Sequence, residues 1–215
     1  MKAWVNQAFF LYNECMRMRK RKWVDSFLED EKTYLIENGL DFDDIYLEIG
    51  MGMGDFIVES ALRNPDKFYI GLEKDPTCVA RAIKKAIEKD VKNLKISHTN
   101  AEKLLECFKP SSVKCIYLHF SDPWPKKRNH KRRLTYPTFL KLYETLLKDN
   151  GTVIFKTDNH DLFIDSLEYF KLSNFKIEEV NEDYHSIKRD EPLTAYEAKF
   201  KEAGNKIHYV RLIKA

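Results

Sequence analysis

The strongest constraint on the fold of this chain is a regular alternation of short apolar runs and amphipathic stretches. Runs of strand length lie at 45–49, 68–72, 94–99, 113–120, 152–157 and 175–180. Stretches with helical periodicity follow them at 55–63, 77–89, 103–108, 138–147 and 160–172. Strict succession of strand and helix predicts an α/β fold with a parallel sheet, right-handed crossovers and helices on both faces. A helix at 195–203 and a strand at 207–213 complete the predicted order.

The length of the chain suits one α/β domain with an addition in front of it. Domains cluster around 100 to 200 residues, and this chain has 215. We assign residues 41–215 to the α/β domain. Residues 1–40 are predicted to be an N-terminal extension with a basic helical segment.

Positive charge is concentrated at two places in the sequence. Five of the six residues at 17–22 are basic, as are six of the eight at 126–133. Because the formal net charge of the whole chain is only +3, the remaining residues are net acidic. Two cationic clusters, each beside a tryptophan (Trp23 and Trp124), predict a polyanionic partner. The alternative is that both clusters are solvated faces.

Cysteine usage and hydropathy predict a cytoplasmic protein without a metal site. Cys15, Cys78, Cys107 and Cys115 show no CxxC pairing and no histidine at metal-ligand spacing, so we expect reduced thiols. The apolar stretch at 3–15 is interrupted by polar residues and is shorter than the ~20 residues needed to cross a bilayer. We expect a soluble monomer or homodimer that has no membrane contact.

A glycine-rich loop follows the first predicted strand. Gly50, Gly52 and Gly54 of EIGMGMG lack side chains, so the backbone there can turn tightly and approach a ligand closely. Glu73 ends the second strand, where an acid commonly binds the two hydroxyls of a ribose. Together they predict a nucleoside-containing cofactor at the carboxyl edge of the sheet. The alternative is an ordinary turn followed by a surface or helix-capping glutamate.

Glu48 distinguishes between two classes of cofactor. Directly before the glycine loop, its carboxylate would repel the pyrophosphate of a dinucleotide but attract the ammonium and sulfonium groups of S-adenosylmethionine. The GxGxG spacing also differs from the GxGxxG of dinucleotide-binding loops. We therefore predict S-adenosylmethionine. Asn100, at the end of the third strand, either binds the adenine edge or caps the following helix.

The segment SDPWPKKRNHKRR follows the fourth strand. Pro123 and Pro125 stiffen it and fix the directions of Asp122 and Trp124. A rigid acid beside an aromatic plane suits recognition of a planar base, and the cations behind it suit phosphates. The alternative is that Trp124 packs into the core and Asp122 caps a turn. The segment predicts a nucleic-acid substrate.

Four segments together resemble a known family. EIGMGMG, SDPWPKKRNHKRRL, FKTDN at 155–159 and TAYE at 194–197 are similar to segments of the bacterial tRNA (guanine-N7-)-methyltransferases, which modify guanine 46 of the variable loop. The resemblance runs from about residue 16 to the end of the chain. It implies a Rossmann-like class I methyltransferase fold, with a mostly parallel seven-stranded sheet and an antiparallel last strand. It also implies methylation of N7 of guanine in tRNA by S-adenosylmethionine.

The resemblance assigns roles to individual residues. Asp122 falls on the catalytic position and, with Glu48, Glu73 and Asn100, on a cofactor contact. Substrate contacts fall on Lys126, Asp158, Thr194 and Glu197. The RNA-contact segment comprises Arg128, Asn129, His130, Lys131, Arg132 and Arg133. The chain departs from the family at two places: Asn100 stands where the family usually has Asp, and the family pattern begins near MRMRKRKW, which makes residues 1–15 an extension.

Methylation of guanine N7 mainly requires that the base and the methyl group be held in the correct relative position. N7 has an in-plane lone pair and no proton, so attack on the sulfonium methyl group needs no general base before bond formation. The purine gains positive charge as the methyl group transfers, so a carboxylate that accepts hydrogen bonds from guanine N1 and N2 favours the transition state. Asp122 and Asp158 are the candidates. Trp124 either stacks on the base or shapes the loop.

Other functions fit parts of the pattern. Asp-Pro-Trp-Pro resembles the loop with which amino-group methyltransferases hold an exocyclic amine, and such an enzyme would produce N6-methyladenine or an N2-methylated guanine. A noncatalytic RNA-binding module would have no need for Glu48, Glu73 and Asp122 facing a polyanion. A nicotinamide dehydrogenase is disfavoured by the missing GxGxxG and by the lack of an evident hydride-transfer His or Tyr.

Overall fold

The computed structural model describes residues 22–36, 42–186, 191–192, 194, 196–197 and 204–214. The strands in this part of the chain are β1 Ile45–Ile49, β2 Phe68–Leu72, β3 Leu94–Ser97, β4 Val113–His119, β5 Leu147–Thr157, β6 Phe175–Asn181 and β7 His208–Lys214. The α-helices are α1 Trp23–Asp30, α2 Asp55–Arg63, α3 Pro76–Glu88, α4 Leu104–Cys107, α5 Pro137–Leu146 and α6 His160–Lys171. Short 3-10 helices lie at Lys32–Tyr34, Ala101–Lys103, Lys127–Arg132 and Tyr184–Ser186.

The strands form one sheet in the order β3-β2-β1-β4-β5-β7-β6. The pairs β1 with β2, β1 with β4, β2 with β3 and β4 with β5 are parallel, whereas β7 is antiparallel to both β5 and β6. This arrangement confirms the predicted fold class, including the antiparallel last strand. The strand order reverses between β1 and β4, and in open α/β sheets ligands bind beyond the carboxyl ends of the strands at such a point.

Apolar side chains of the helices cover both faces of the sheet. Phe139 of α5 and Phe163 of α6 belong to one buried cluster, while Ile57 of α2 and Ile83 of α3 belong to a second. Burying one such side chain contributes about 1.5–3 kcal/mol. The two clusters fix the helices in place, so that the loops at the carboxyl edge of the sheet start from rigid elements.

Residues 22–36 pack against the β3 edge of the sheet. Val24 of α1 is fully buried, and Leu35 forms a parallel bridge to Ile96 of β3. The proposed division of the chain at residues 40 and 41 therefore separates two parts that touch each other. Residues 1–21 and 37–41, and most of the predicted helix at 195–203, lie outside the described residues.

The largest boundary difference between prediction and structure concerns β5. This strand begins at Leu147, directly after α5, whereas the apolar pattern predicts a start at residue 152. The register with β4 shifts between the pairs Val113–Leu147 and Cys115–Thr152, and Asn150 has a φ of 60°. Asn tolerates this left-handed conformation better than most residues. The Asn-Gly turn is thus an irregularity inside a longer strand.

The described residues include no helix that is both long and apolar enough to cross a membrane.

Candidate active site

The glycine loop after β1 presents bare backbone to open space. Gly50 and Gly52 have φ values of 77° and 55°, and a Cβ atom built on either would meet nothing within 4 Å. Gly54 is different, because a Cβ there would lie 2.7 Å from the Cβ of Ala82. The first two glycines therefore leave room for a ligand, while the third allows α2 and α3 to approach each other.

Glu48, at the end of β1, is buried against His119 of β4. Glu48 Oε1 lies 3.2 Å from His119 Nδ1, and neither Glu48 Oε2 nor His119 Nε2 has a hydrogen-bond partner among the described residues. Burial raises the pKa of Glu48 well above its usual range, and the carboxylate of Asp55 adds to the rise. Burial also lowers the pKa of His119, an effect that the cation of Lys156 strengthens. Both shifts favour the neutral forms of the pair.

Glu73, at the end of β2, joins the glycine loop to the turn before α3. Its Oε2 accepts a hydrogen bond from the Gly52 amide at 3.0 Å, and its Oε1 accepts from the amides of Lys74 and Asp75 at 2.8 and 2.9 Å. The carboxylate therefore lies beside the glycine loop, as the sequence pattern requires for a ribose contact. Its role toward a ribose stays a prediction.

Asn100 caps the 3-10 helix that follows β3. Its Oδ1 accepts a hydrogen bond from the Glu102 amide at 3.4 Å. Of the two roles considered for Asn100, the structure contains the cap. A contact with adenine stays a prediction.

The loop after β4 bends sharply on both sides of Asp122. Phe120 and Trp124 have φ values of 50° and 41°, a strained conformation for aromatic residues. Asp122 is partly buried, and its Oδ2 lies 4.0 Å from Lys74 Nζ. Strain of this kind persists where the surrounding structure fixes the backbone, which is common at functional sites.

The basic segment, residues 126–133, divides into exposed cations and one buried arginine. Lys126, Arg128, Lys131 and Arg132 are exposed, and the Arg132 guanidinium lies 4.9 Å from the centre of the Trp124 ring. Arg132 thus stacks on the tryptophan that the sequence singled out. The exposed cations have the placement that phosphate contacts require, although those contacts stay predictions.

Arg133 differs from the other cations of this segment. It is 2% exposed and donates hydrogen bonds to the carbonyl of Pro123 at 2.7 Å and to Asp165 Oδ2 at 2.6 Å. His130 Nε2 lies 3.0 Å from a further nitrogen of Arg133, and its Nδ1 lies 3.4 Å from the Tyr169 hydroxyl. Both side chains are therefore engaged inside the protein and support the loop. Asn129, just before His130 in sequence, is partly exposed.

A buried lysine that the sequence analysis did not select occupies the centre of the remaining site residues. Lys156 of β5 has no exposed surface, and its Nζ lies 3.5 Å from Glu197 Oε1 and 3.4 Å from Glu191 Oε2. Thr194 Oγ1 accepts a hydrogen bond from the Glu197 amide at 2.9 Å. A lysine inside an apolar strand that is followed by TDN is the sequence signal that could have identified it.

Asp158, two residues beyond Lys156, lies at the carboxyl end of β5. Its Oδ2 accepts a hydrogen bond from the Tyr196 hydroxyl at 3.1 Å, and burial raises its pKa. The structure therefore brings three of the four predicted substrate contacts, Asp158, Thr194 and Glu197, into one region around Lys156. Lys126 lies on the separate loop after β4.

The residues present fit S-adenosylmethionine better than a phosphate-bearing cofactor. Two open glycines and two acids, Glu48 and Glu73, converge where the strand order reverses. Carboxylates attract the cationic groups of this cofactor and repel phosphates, and a cation beside Glu48 would favour its ionised form. Among the described residues, no group of three or more His, Cys, Asp or Glu side chains could hold a metal ion.

Known proteins resemble this chain in sequence and in fold. The family described as "Putative methyltransferase" matches residues 43–210. A tRNA (guanine-N(7)-)-methyltransferase of Macrococcus caseolyticus is 39% identical over 204 residues, which cover 90% of this chain and 97% of the relative. The corresponding enzyme of Bacillus subtilis is 38% identical over 205 residues, with 90% and 96% covered. Among solved structures, an antibiotic-related methyltransferase matches with a TM-score of 0.59 at 20% identity, covering 93% of this chain and 97% of that one.

Proposed function

Because this chain belongs to the tRNA (guanine-N(7)-)-methyltransferase family, we propose that it methylates N7 of guanine 46 in the variable loop of tRNA, with S-adenosylmethionine as methyl donor. Identity of 38–39% over nine-tenths of the chain is the basis for the reaction class. Guanine 46 as the target position is inferred from the motifs that the chain shares with the family.

One juxtaposition in the structure carries the proposal. The acidic cofactor side of the site, formed by the ends of β1 and β2, adjoins the strained Asp-Pro-Trp-Pro loop that follows β4. Lys74, next to Glu73, lies 4.0 Å from Asp122 across this boundary. A methyltransferase needs its methyl donor and its acceptor base to meet in line, and this boundary is where the two predicted sites adjoin.

The cofactor side is held by residues from three strand ends. When bound, S-adenosylmethionine supplies an electrophilic methyl group on a sulfonium centre. We assign Glu48, Glu73 and Asn100 to its binding, with Gly50, Gly52 and Gly54 providing close backbone approach. Glu73 is already fixed by three backbone amides, so it can accept further hydrogen bonds from hydroxyl groups without reorganising.

The base side is held by carboxylates in rigid positions. Asp122 lies directly before the first of two loop prolines, and Asp158 is fixed at the end of β5 by the Tyr196 hydroxyl. Each can accept hydrogen bonds from guanine N1 and N2, which stabilises the positive charge that develops on the purine. Lys126, Thr194 and Glu197 complete the proposed substrate contacts. Arg128, Asn129, Lys131 and Arg132 are proposed to bind tRNA phosphates, whereas His130 and Arg133 of the same segment support the loop from inside the protein.

A tRNA substrate also favours a location in the cytoplasm. We propose that the protein works there as a monomer or homodimer, without a membrane or metal requirement.

The proposal is tested by the chemical identity of the product. The purified protein is incubated with methyl-labelled S-adenosylmethionine and tRNA that lacks modifications, and the nucleosides are analysed by mass spectrometry. We expect N7-methylguanosine, which disappears when guanine 46 is replaced by adenine. N6-methyladenosine or an N2-methylated guanosine as the product would instead indicate an amino-group methyltransferase. Absence of any labelled nucleoside, with RNA binding retained, would indicate a binding module.

A further inference from the structure

We propose that Lys156 is a positioning residue, which anchors the substrate-binding residues between β6 and β7 to the central sheet. The expected effect on tRNA methylation rests on the proposed function. The anchoring itself can be tested by hydrogen exchange, without an activity measurement. Neither the glycine loop nor the Asp-Pro-Trp-Pro loop includes Lys156, and no substrate contact is assigned to it above.

Lys156 is a buried cation in the middle of the sheet. It pairs with His119 of β4 on one side and with Tyr209 of β7 on the other, and its side chain has no exposed surface. Removing an ammonium group from water is unfavourable unless opposite charges and hydrogen bonds compensate for it. The position therefore needs partners that stay in place.

The groups in direct contact with Lys156 Nζ come from a single stretch of chain. Glu191 and Glu197 contact Nζ at 3.4 and 3.5 Å, and Nζ lies 3.9 Å from the centre of the Tyr184 ring. Tyr184 also donates a hydrogen bond from its hydroxyl to Glu191 Oε2. All three residues lie between β6 and β7, outside the strands of the sheet, so Lys156 joins three points of this stretch to the sheet.

The charges in this cluster are mutually dependent. Glu197 is completely buried, and neither of its carboxylate oxygens has a hydrogen-bond partner among the described residues, although Lys156 and, at 4.0 Å, His185 Nε2 lie near it. Without the ammonium group, the two carboxylates of Glu191 and Glu197 would repel each other and would be left in a medium of low dielectric constant. The carboxylates would then have to take up protons, or the stretch would have to move outward to reach water.

The consequence for the substrate site follows from the neighbours of Glu197. Tyr196 donates a hydrogen bond to Asp158 at 3.1 Å, and Thr194 accepts one from the Glu197 amide at 2.9 Å. A displacement of Glu197 would therefore shift three predicted substrate contacts together. A shift of about 1 Å in such groups can reduce catalysis by ~100-fold.

The test compares Lys156→Met, Lys156→Arg and the control Lys148→Met. Lys148 lies on the same strand and pairs with Asp44 at 3.0 Å, remote from the substrate residues. Hydrogen exchange of the Tyr184 and Glu197 amides reports the anchoring, and steady-state kinetics with tRNA and cofactor titrations report the site. We expect Lys156→Met to accelerate exchange at both amides by about tenfold or more and to lower kcat/KM for tRNA by ~100-fold.

Lys156→Arg retains the charge, so its amide exchange and its kcat/KM for tRNA should stay much closer to those of the wild type. Lys148→Met should behave as the wild type. Wild-type exchange in Lys156→Met would overturn the proposal, as would an equal effect in Lys156→Met and Lys156→Arg. If Lys156→Met fails to fold, the variant Glu191→Gln is tested in its place. We expect faster exchange of the Tyr184 amide in this variant. Unchanged exchange would overturn the proposal. If the variants show these exchange effects but the wild-type protein makes no N7-methylguanosine, the proposed function is refuted. The anchoring role of Lys156 is then still supported.

Discussion

Arg133 donates a hydrogen bond from Nε to the carbonyl oxygen of Pro123 at 2.7 Å, which ties the end of the basic segment to the first proline of the Asp-Pro-Trp-Pro loop. The same guanidinium reaches Asp165 of α6 at 2.6 Å. Arg133, which the sequence pattern predicts as a phosphate contact, therefore connects the Asp-Pro-Trp-Pro loop to α6. We call this connection the brace. Because Asp122 directly precedes Pro123, this hydrogen bond holds the backbone next to the carboxylate that we assign to the reaction.

The position of Arg133 predicts that its removal affects stability more than RNA affinity. Arg133→Met should lower the free energy of unfolding by about 1.5–3 kcal/mol, since it removes hydrogen bonds to a charged group and leaves the Pro123 carbonyl without its donor. Arg132→Met, at the exposed neighbouring position, is the matched control and should lower the free energy of unfolding by about 0.5–1 kcal/mol at most, because it removes only the stacking on Trp124. Urea denaturation followed by circular dichroism measures both. Equal stability of the two variants would contradict the bracing role.

The exposed cations of the basic segment should account for the salt dependence of tRNA binding. Replacing Arg128, Lys131 and Arg132 by Ala should reduce the slope of log affinity against log salt by about 0.7–0.9 for each phosphate that is no longer neutralised. Cofactor affinity should hardly change. The control is Lys171→Ala on α6, which removes an exposed lysine whose partner is Glu168. An unchanged slope in the triple variant would mean that these cations form only a solvated face.

The fold was predictable because each strand and helix has its own local pattern. The six helix-connected strands and the glycine loop follow from periodicity and from the positions of the glycines. Family resemblance added the antiparallel last strand. The start of β5 at Leu147 was missed, because Lys148, Asp149 and Asn150 interrupt the apolar pattern although the strand already pairs with β4 at Leu147.

The sequence predicts a site residue when its chemistry and its position after a strand are enough to indicate its role. It does not predict roles that depend on contacts between distant residues. Arg132 and Arg133 are adjacent and chemically identical, yet one stacks on Trp124 and the other is buried. Only tertiary packing separates them. Likewise, Lys156 is paired with Glu191 and Glu197, which lie far along the chain beyond β6, and no local pattern relates such distant residues.

Glu73 should contribute directly to cofactor affinity. Glu73→Ala is expected to weaken S-adenosylmethionine binding by roughly 1.5–3 kcal/mol, because it removes a charged acceptor for hydroxyl groups. The same change removes three backbone hydrogen bonds, so a control must loosen the same turn without touching the carboxylate. Asp75→Ala serves this purpose, since Asp75 caps α3 through the amides of Thr77 and Cys78. Calorimetry on both variants decides between the two roles. Equal weakening would assign Glu73 to the turn alone.

Binding of a cationic cofactor should release a proton from Glu48. Burial raises the pKa of Glu48 in the free protein, and a cation placed beside the carboxylate lowers it again. Affinity should therefore increase as pH rises toward the raised pKa, by up to about one log unit per pH unit, and level off above it. Calorimetry in buffers of different ionisation enthalpy measures the proton count directly. Glu48→Gln should abolish the release. The same proton release in that variant would assign it to another group.

Asp122 should contribute to the chemical step and little to the affinity for tRNA. Its backbone is held by the loop and by the hydrogen bond from Arg133 to Pro123, so its carboxylate can stabilise the positive charge on the purine with little reorganisation. Asp122→Asn keeps the shape of the side chain and removes the charge. We expect single-turnover methylation to fall by ~100-fold or more with both ligands saturating.

Affinity of Asp122→Asn for tRNA should be retained or slightly increased, because one negative charge facing phosphates is removed. Lys74→Met is the matched control, since it removes the cation 4.0 Å from Asp122 but leaves the carboxylate in place. If Lys74→Met alone reproduced the slower methylation, the ion pair and not the Asp122 charge at the base would be the cause. A wild-type single-turnover rate in Asp122→Asn would exclude Asp122 from the reaction and leave Asp158, which burial and Tyr196 hold at the end of β5, as the carboxylate to test next.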